Sequence, residues 1–198
     1  MGAFQGHDVL ALVFNFLLAI LGVANVFCAY VATLKINKIV KVFLWLGYAL
    51  MTPNCAYLML EIRHVLLHDN IADKPNILSW WIFGGLSAFG FITSIFVVVL
   101  TAYLIGRTYQ ARTVYVLVLS ALQATGAALG LLNVASSSII LNPYSIPIAL
   151  LRIAQSAHRL EFVIVLTIFI AAVSLTAVWF ERKLGVLAKM RVLDKIRP

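Results

Sequence analysis

Charge is what this chain has least of. Asp, Glu, Lys and Arg make up 11% of its 198 residues, with only 7 acids among them, where a soluble domain carries about 25%. So little charge leaves no material for a water-facing domain of any size. Cysteine is as scarce: Cys28 and Cys55 each fall inside an apolar run, which suits small buried hydrophobes better than a disulfide or a metal pair. Two distant cysteines also exclude covalent Cys-x-x-Cys-His haem attachment. Missing too are HExxH, the P-loop, GxSxG and the dinucleotide fingerprint, and no internal repeat or low-complexity tract is present.

What fills the chain instead is hydrocarbon. Hydrophobic residues account for 63% of it and the mean hydropathy is +1.02. A bilayer core takes about 20 apolar residues per helix, and five runs satisfy this, at 9–33, 41–66, 79–105, 112–140 and 157–181. The expectation is an all-α integral membrane protein, a five-helix transmembrane bundle over 1–184 with a basic amphipathic tail over 185–198. The first run carries Asn15 and Asn25 and follows no basic leader, so it reads as a retained helix and not a signal peptide.

A net charge of +8 on a soluble protein would suggest nucleic acid, but here sidedness decides. With the N-terminus outside, 11 of the 15 basic residues fall on the inner side, from Lys35 to Lys41, at Arg107 and Arg112, and from Arg182 onward. Only Glu181 and Asp194 join them, giving +9 inside and −1 outside. That asymmetry is the positive-inside rule, and it places the C-terminus inside. Trp80, Trp81 and Trp179 sit where interfacial rings anchor spans. The tail "ERKLGVLAKMRVLDKIRP" suits a helix lying on the inner face among anionic head groups. The segment "IALLRIAQ" reads as a short interfacial piece. Membrane lipids and partner subunits are the expected partners, with no nucleic acid, in a cell membrane or an organelle inner membrane.

Within the spans, Pro53 should bend the second helix and free carbonyls for Thr52, Asn54 or a neighbour to satisfy. Small residues in "FGGLSAFG" and the pair Gly126 and Gly130 let helices approach closely. The former, Gly84 to Gly90, would also leave room for a flat prosthetic group. Asn15, Asn25, Asn54, Asn133 and Gln123 are expected to bridge helices.

The chemistry-bearing residues form two reversed strings, Glu61-Ile-Arg-His64 and His158-Arg-Leu-Glu161. The second and fifth helices run in opposite directions, so the reversal puts like residues at like depth. His64 lies 23 residues beyond Lys41 and His158 lies 24 before Arg182, about 34–36 Å in each case. Asn54, Tyr57, Glu61, His64 and His68 follow one face of the second helix, and Gln155, His158 and Glu161 one face of the fifth. Charge facing lipid is costly, so both stripes are expected to face the bundle interior, toward each other.

Three readings follow. His64 and His158 could be axial ligands of a b-type haem, or Glu61, His64, His158 and Glu161, with His68 as a further candidate, could hold a transition metal, making the chain an electron-transfer subunit of a larger complex. The same groups could serve helix association alone in a structural or accessory subunit, the arginines reaching lipid phosphates. Or Glu61 or Glu161 could be a catalytic acid–base on a lipid or isoprenoid substrate, with a histidine as proton partner. Five helices, N-terminus out, with histidines on the second and fifth resembles the membrane cytochrome b subunit of respiratory nitrate reductases. The resemblance covers topology and the pair His64 with His158, one pair where that family's two haems need two.

Overall fold

The computed structural model describes residues 6–32, 34, 36–60, 77–131 and 144–184, all helical but for short turns and with no strand among them. Seven helices appear: α1 (Gly6–Ala32), α2 (Lys38–Met51), α3 (Pro53–Met59), α4 (Ile77–Ile105), α5 (Tyr109–Leu131), α6 (Ser145–Ala154) and α7 (Ala157–Leu184). Four stretches are long and apolar enough to cross a membrane: Lys38–Met59, Trp81–Ile105, Tyr109–Leu131 and Ala157–Leu184. This is the make-up of a membrane protein. α1, at 27 residues, packs along α2, α3 and α4.

Local chemistry explains the helix ends. Asn37 accepts a hydrogen bond from Ile39 N–H through its side chain, at 2.8 Å, and so caps α2. Thr108 does the same for α5, accepting from Ala111 N–H at 3.1 Å. Ser156 separates α6 from α7, and its carbonyl accepts the bond from Leu160 N–H, at 3.0 Å. The expected interfacial piece is thus a real helix, α6, with Ala149 and Ile153 buried against the bundle.

Pro53 divides the stretch Lys38–Met59 without breaking it. Thr52 keeps right-handed helical angles, φ −63° and ψ −32°, so the chain continues as α3. Two side chains bond back onto this turn: Thr52 Oγ1 donates to the Tyr48 carbonyl at 2.7 Å, which also accepts Thr52 N–H, and Asn54 Nδ2 donates to the Met51 carbonyl at 2.9 Å, whose helical donor Cys55 N–H has turned to the Thr52 carbonyl.

α3 is the axle of the bundle. Pro53, Cys55, Ala56 and Leu58 are all buried, and α1, α4 and α5 close around them. Each neighbour presents a glycine. A Cβ on Gly126 would strike the Pro53 ring, and one on Gly130 the Tyr57 ring. On α4, Gly90 lies against the backbone of Leu58 and Met59; on α1, a Cβ at Gly22 would come within 2.9 Å of both Cys55 Sγ and the Met51 carbonyl. Pro53 and Tyr57 are four residues apart and so are their glycines, which requires α3 and α5 to run parallel, one turn matched to one turn. α7 lies outside this group, packed on α4, α5 and α6.

Candidate functional site

The described interior holds polar groups, none of them a carboxylate or an imidazole. Among the described residues the buried polar side chains are Thr52, Thr93, Ser94, Thr101, Ser120, Gln123 and Ser174, six hydroxyls and one amide. Two pairs tie spans together. Tyr48 O–H donates to Thr101 Oγ1 at 2.9 Å, joining α2 to α4. The Ser94 hydroxyl donates to Gln123 Oε1, joining α4 to α5. Cys55 Sγ points at the Ala19 carbonyl, 3.4 Å away on α1, a small buried group as expected. Hydroxyl and amide pairs of this sort link helices in a medium without water.

Of the residues expected to bridge helices, Gln123 does so. Asn25 and Asn54 do not: Asn25 Nδ2 donates to the Leu21 carbonyl at 2.8 Å and Asn54 Nδ2 to Met51, each within its own stretch of chain. A short amide four residues from a carbonyl on its own helix meets that acceptor first, and only the longer Gln123 side chain reaches across. The side chains of Asn15 and Asn133 lie outside the described residues. The small residues of α4 divide by face. Gly90 is filled by α3, and the Ser87 hydroxyl donates to the Met59 carbonyl. Gly85 meets nothing within 4 Å, and Ala88 is exposed.

Of the two reversed strings, only one is described. Glu61, His64 and His68 lie outside the described residues, as do Arg63 and the rest of 61–76. His158, Arg159 and Glu161 open α7, and all three side chains are exposed, together with Gln155 just before them. The stripe expected to face the interior therefore lies on the outside of the bundle. Arg159 Nη1 reaches the Arg152 carbonyl at 3.5 Å, which draws the start of α7 to the end of α6. α7 shares no extended contact with α2 or α3 among the described residues; α4 and α5 stand between them. Equal depth along the membrane normal fixes height and leaves the position around the bundle open.

As ligands, His158 and Glu161 stand three residues apart on one face of α7, a spacing that can present two donors to one ion. Among the described residues no three of His, Cys, Asp or Glu gather, so a metal or haem at this point needs donors from elsewhere.

At the other end of the bundle, cations gather on aromatic rings. The Arg112 guanidinium covers the Tyr103 ring at 4.0 Å, Arg182 covers Tyr109 at 4.7 Å, and the Lys183 ammonium lies 5.5 Å from the Trp179 ring. Comparison with known protein families, with curated proteins and with solved structures finds no match for this chain.

Proposed function

We propose that the chain is a five-span integral membrane protein, N-terminus outside and C-terminus inside, that serves as an accessory subunit of a larger membrane complex and carries no chemistry in its interior. One observation supports this above others: wherever a side chain is described, Asp, Glu, Lys, Arg and His are at least partly exposed, and what is buried is hydroxyl, amide, thiol and hydrocarbon. Among the described side chains, the carboxylates, the imidazole and the cations stand outside the packed core. α1 supplies the fifth span, long enough at 27 residues to cover about 40 Å.

The partner belongs on α7. Leu160, Ile164 and Ile168 are 43%, 49% and 62% exposed, and Glu161 stands among them one turn inside the start of the helix. A carboxylate at that depth is costly against acyl chains, and a partner helix bearing a cation or a hydrogen-bond donor removes the cost. A photo-crosslinking residue at position 161, in chain purified with mild detergent from its own membrane, should attach to a second integral membrane protein. Adducts with lipid alone, from a chain that sediments as a single copy, would overturn the proposal.

A second reading rests on the exposed pair itself. His158 and Glu161 are open to approach, and with Glu61, His64 and His68, or with donors from a partner, they would hold haem iron or a transition metal. Oxidised and dithionite-reduced spectra would then show a Soret and an alpha band, both lost in His158→Ala. Featureless spectra, with less than stoichiometric metal after gentle purification, end that reading and leave the first intact.

A further inference from the structure

The turn between α4 and α5 is built to hold cations in a fixed place. Gly106 N–H donates to the Ala102 carbonyl at 2.8 Å, closing α4, and a Cβ at Gly106 would meet that carbonyl at 2.6 Å and Arg112 Cγ at 2.7 Å. The Gly106 carbonyl in turn accepts from Arg112 Nε at 2.9 Å, while Thr108 caps α5. Arg112 is thereby occupied in pinning the turn, and Arg107 is left exposed beside Tyr109, the first residue of α5.

The last turn of α7 arrives at the same tyrosine. Arg182 stacks on its ring, and Lys183 follows, packed on Trp179. A guanidinium held against a ring by cation–π attraction spends none of its five N–H donors on that contact, and its fork matches two oxygens of a phosphate. The amino end of α5 adds its own partial positive charge at this point. Arg107, Arg182 and Lys183 are all exposed, while Trp179 and Phe180 below them are 45% and 51% exposed. Cations at the end of two spans, with bare aromatic surface on the membrane side, match a molecule that is anionic at its head and apolar below.

We infer that Arg182 on the Tyr109 ring, with Arg107 two residues before that tyrosine and Lys183 next along α7, forms a binding site for the phosphate of an anionic phospholipid in the inner leaflet. The site rests on the membrane-spanning reading but not on the accessory role, because the partner face of α7 lies near its opposite end. Tyr109 is a positioning residue: it fixes Arg182 and need not touch the lipid.

The test uses the full chain in phosphatidylcholine nanodiscs, with phosphatidylglycerol added in steps and retained lipid counted by native mass spectrometry. Wild-type protein should hold one phosphatidylglycerol more tightly than phosphatidylcholine. Each cation near an anionic surface is worth roughly fivefold in affinity, so Arg107→Gln/Arg182→Gln should weaken retention about 25-fold. The outer pair Arg152→Gln/Arg159→Gln should leave it unchanged, and Tyr109→Phe should retain what Tyr109→Leu loses. Should the double variant fold poorly, Arg107→Gln alone, at an exposed position, should weaken retention about fivefold. The proposal falls if the inner variants bind as wild type, if the outer pair loses as much as the inner, or if millimolar inorganic phosphate displaces the lipid, which would make the site one for a free anion.

Discussion

Adding one methyl group at Gly126 tests the packing of the axle more sharply than deleting any side chain. In the native bundle a Cβ at this position falls on the ring carbons of Pro53, and the pyrrolidine ring, unlike a leucine, has no rotamer into which it can withdraw. α3 is held from the other sides by Gly22 and Gly90, so it cannot step back without opening contacts there. Overpacking of this kind costs about 1–3 kcal/mol, and the site belongs at the upper end because ring, axle and both flanking helices resist. Against this stands the higher helix propensity of alanine, at most about 1 kcal/mol. Gly126→Ala should therefore lose about 2 kcal/mol, read as a shift in SDS-induced unfolding in mixed micelles followed by circular dichroism. Gly85→Ala is the matched control, since nothing lies within 4 Å of its Cβ, and it should be neutral or slightly stabilising. Combining Gly126→Ala with Pro53→Ala lets the new methyl occupy the space the ring vacates, so the two changes should fall short of additivity by about 1 kcal/mol. Unfolding of Gly126→Ala at the wild-type midpoint, or an equal loss in Gly85→Ala, would refute the reasoning.

Other consequences are smaller and equally specific. A double-mutant cycle on Ser94→Ala and Gln123→Leu should return a coupling of about 0.6 kcal/mol, and no more than about 1.7; additivity would mean that the buried pair contributes no net bond. Asn37→Ala removes the cap of α2 and should cost about 1 kcal/mol in the same unfolding assay, whereas Asn37→Asp or Asn37→Ser should cost a few tenths or less; equal losses in all three would point to a role other than capping. Tyr48→Phe deletes the bond to Thr101 and leaves the ring, so its cost should lie within about 0.5–1.5 kcal/mol, and Thr101→Val should not add to it.

The all-helical, membrane-spanning make-up, the interruption at Pro53 and the close approach of Gly126 and Gly130 were legible because each has a local cause: apolar run length, a missing N–H, a missing Cβ. The identity of the axle was not. In water the buried face of a helix announces itself as an apolar stripe, but in a bilayer the outward face is as apolar as the inward one, and only small residues and rare polar groups mark contact. Hence Gln123 was marked as a bridge by its amide, but its partner Ser94 and the pair Tyr48 with Thr101 looked like ordinary hydroxyls scattered through greasy sequence. The reversed strings show the limit from another side. Their spacing gives depth, about 1.5 Å per residue from a basic anchor, and depth does not fix the position around the bundle. α7 packs on α4 and α5 with His158 and Glu161 exposed. One signal was available: Ser120, Ala124 and Ala128 repeat at four residues along α5 and are all buried, the mark of a face ready for a second close neighbour in addition to α3.

The central claim, a closed core with its acidic, basic and histidine side chains outside, is tested most directly by thiol labelling. In protein carrying Cys28→Ala, Cys55 should resist membrane-permeant N-ethylmaleimide until the bundle is unfolded in SDS, being wholly buried against Ala19. With Cys55 also replaced by Ala, His158→Cys should react with an impermeant maleimide from one side of sealed vesicles and Arg107→Cys from the other. Rapid alkylation of native Cys55, or protection of position 158 in the isolated chain, would contradict it.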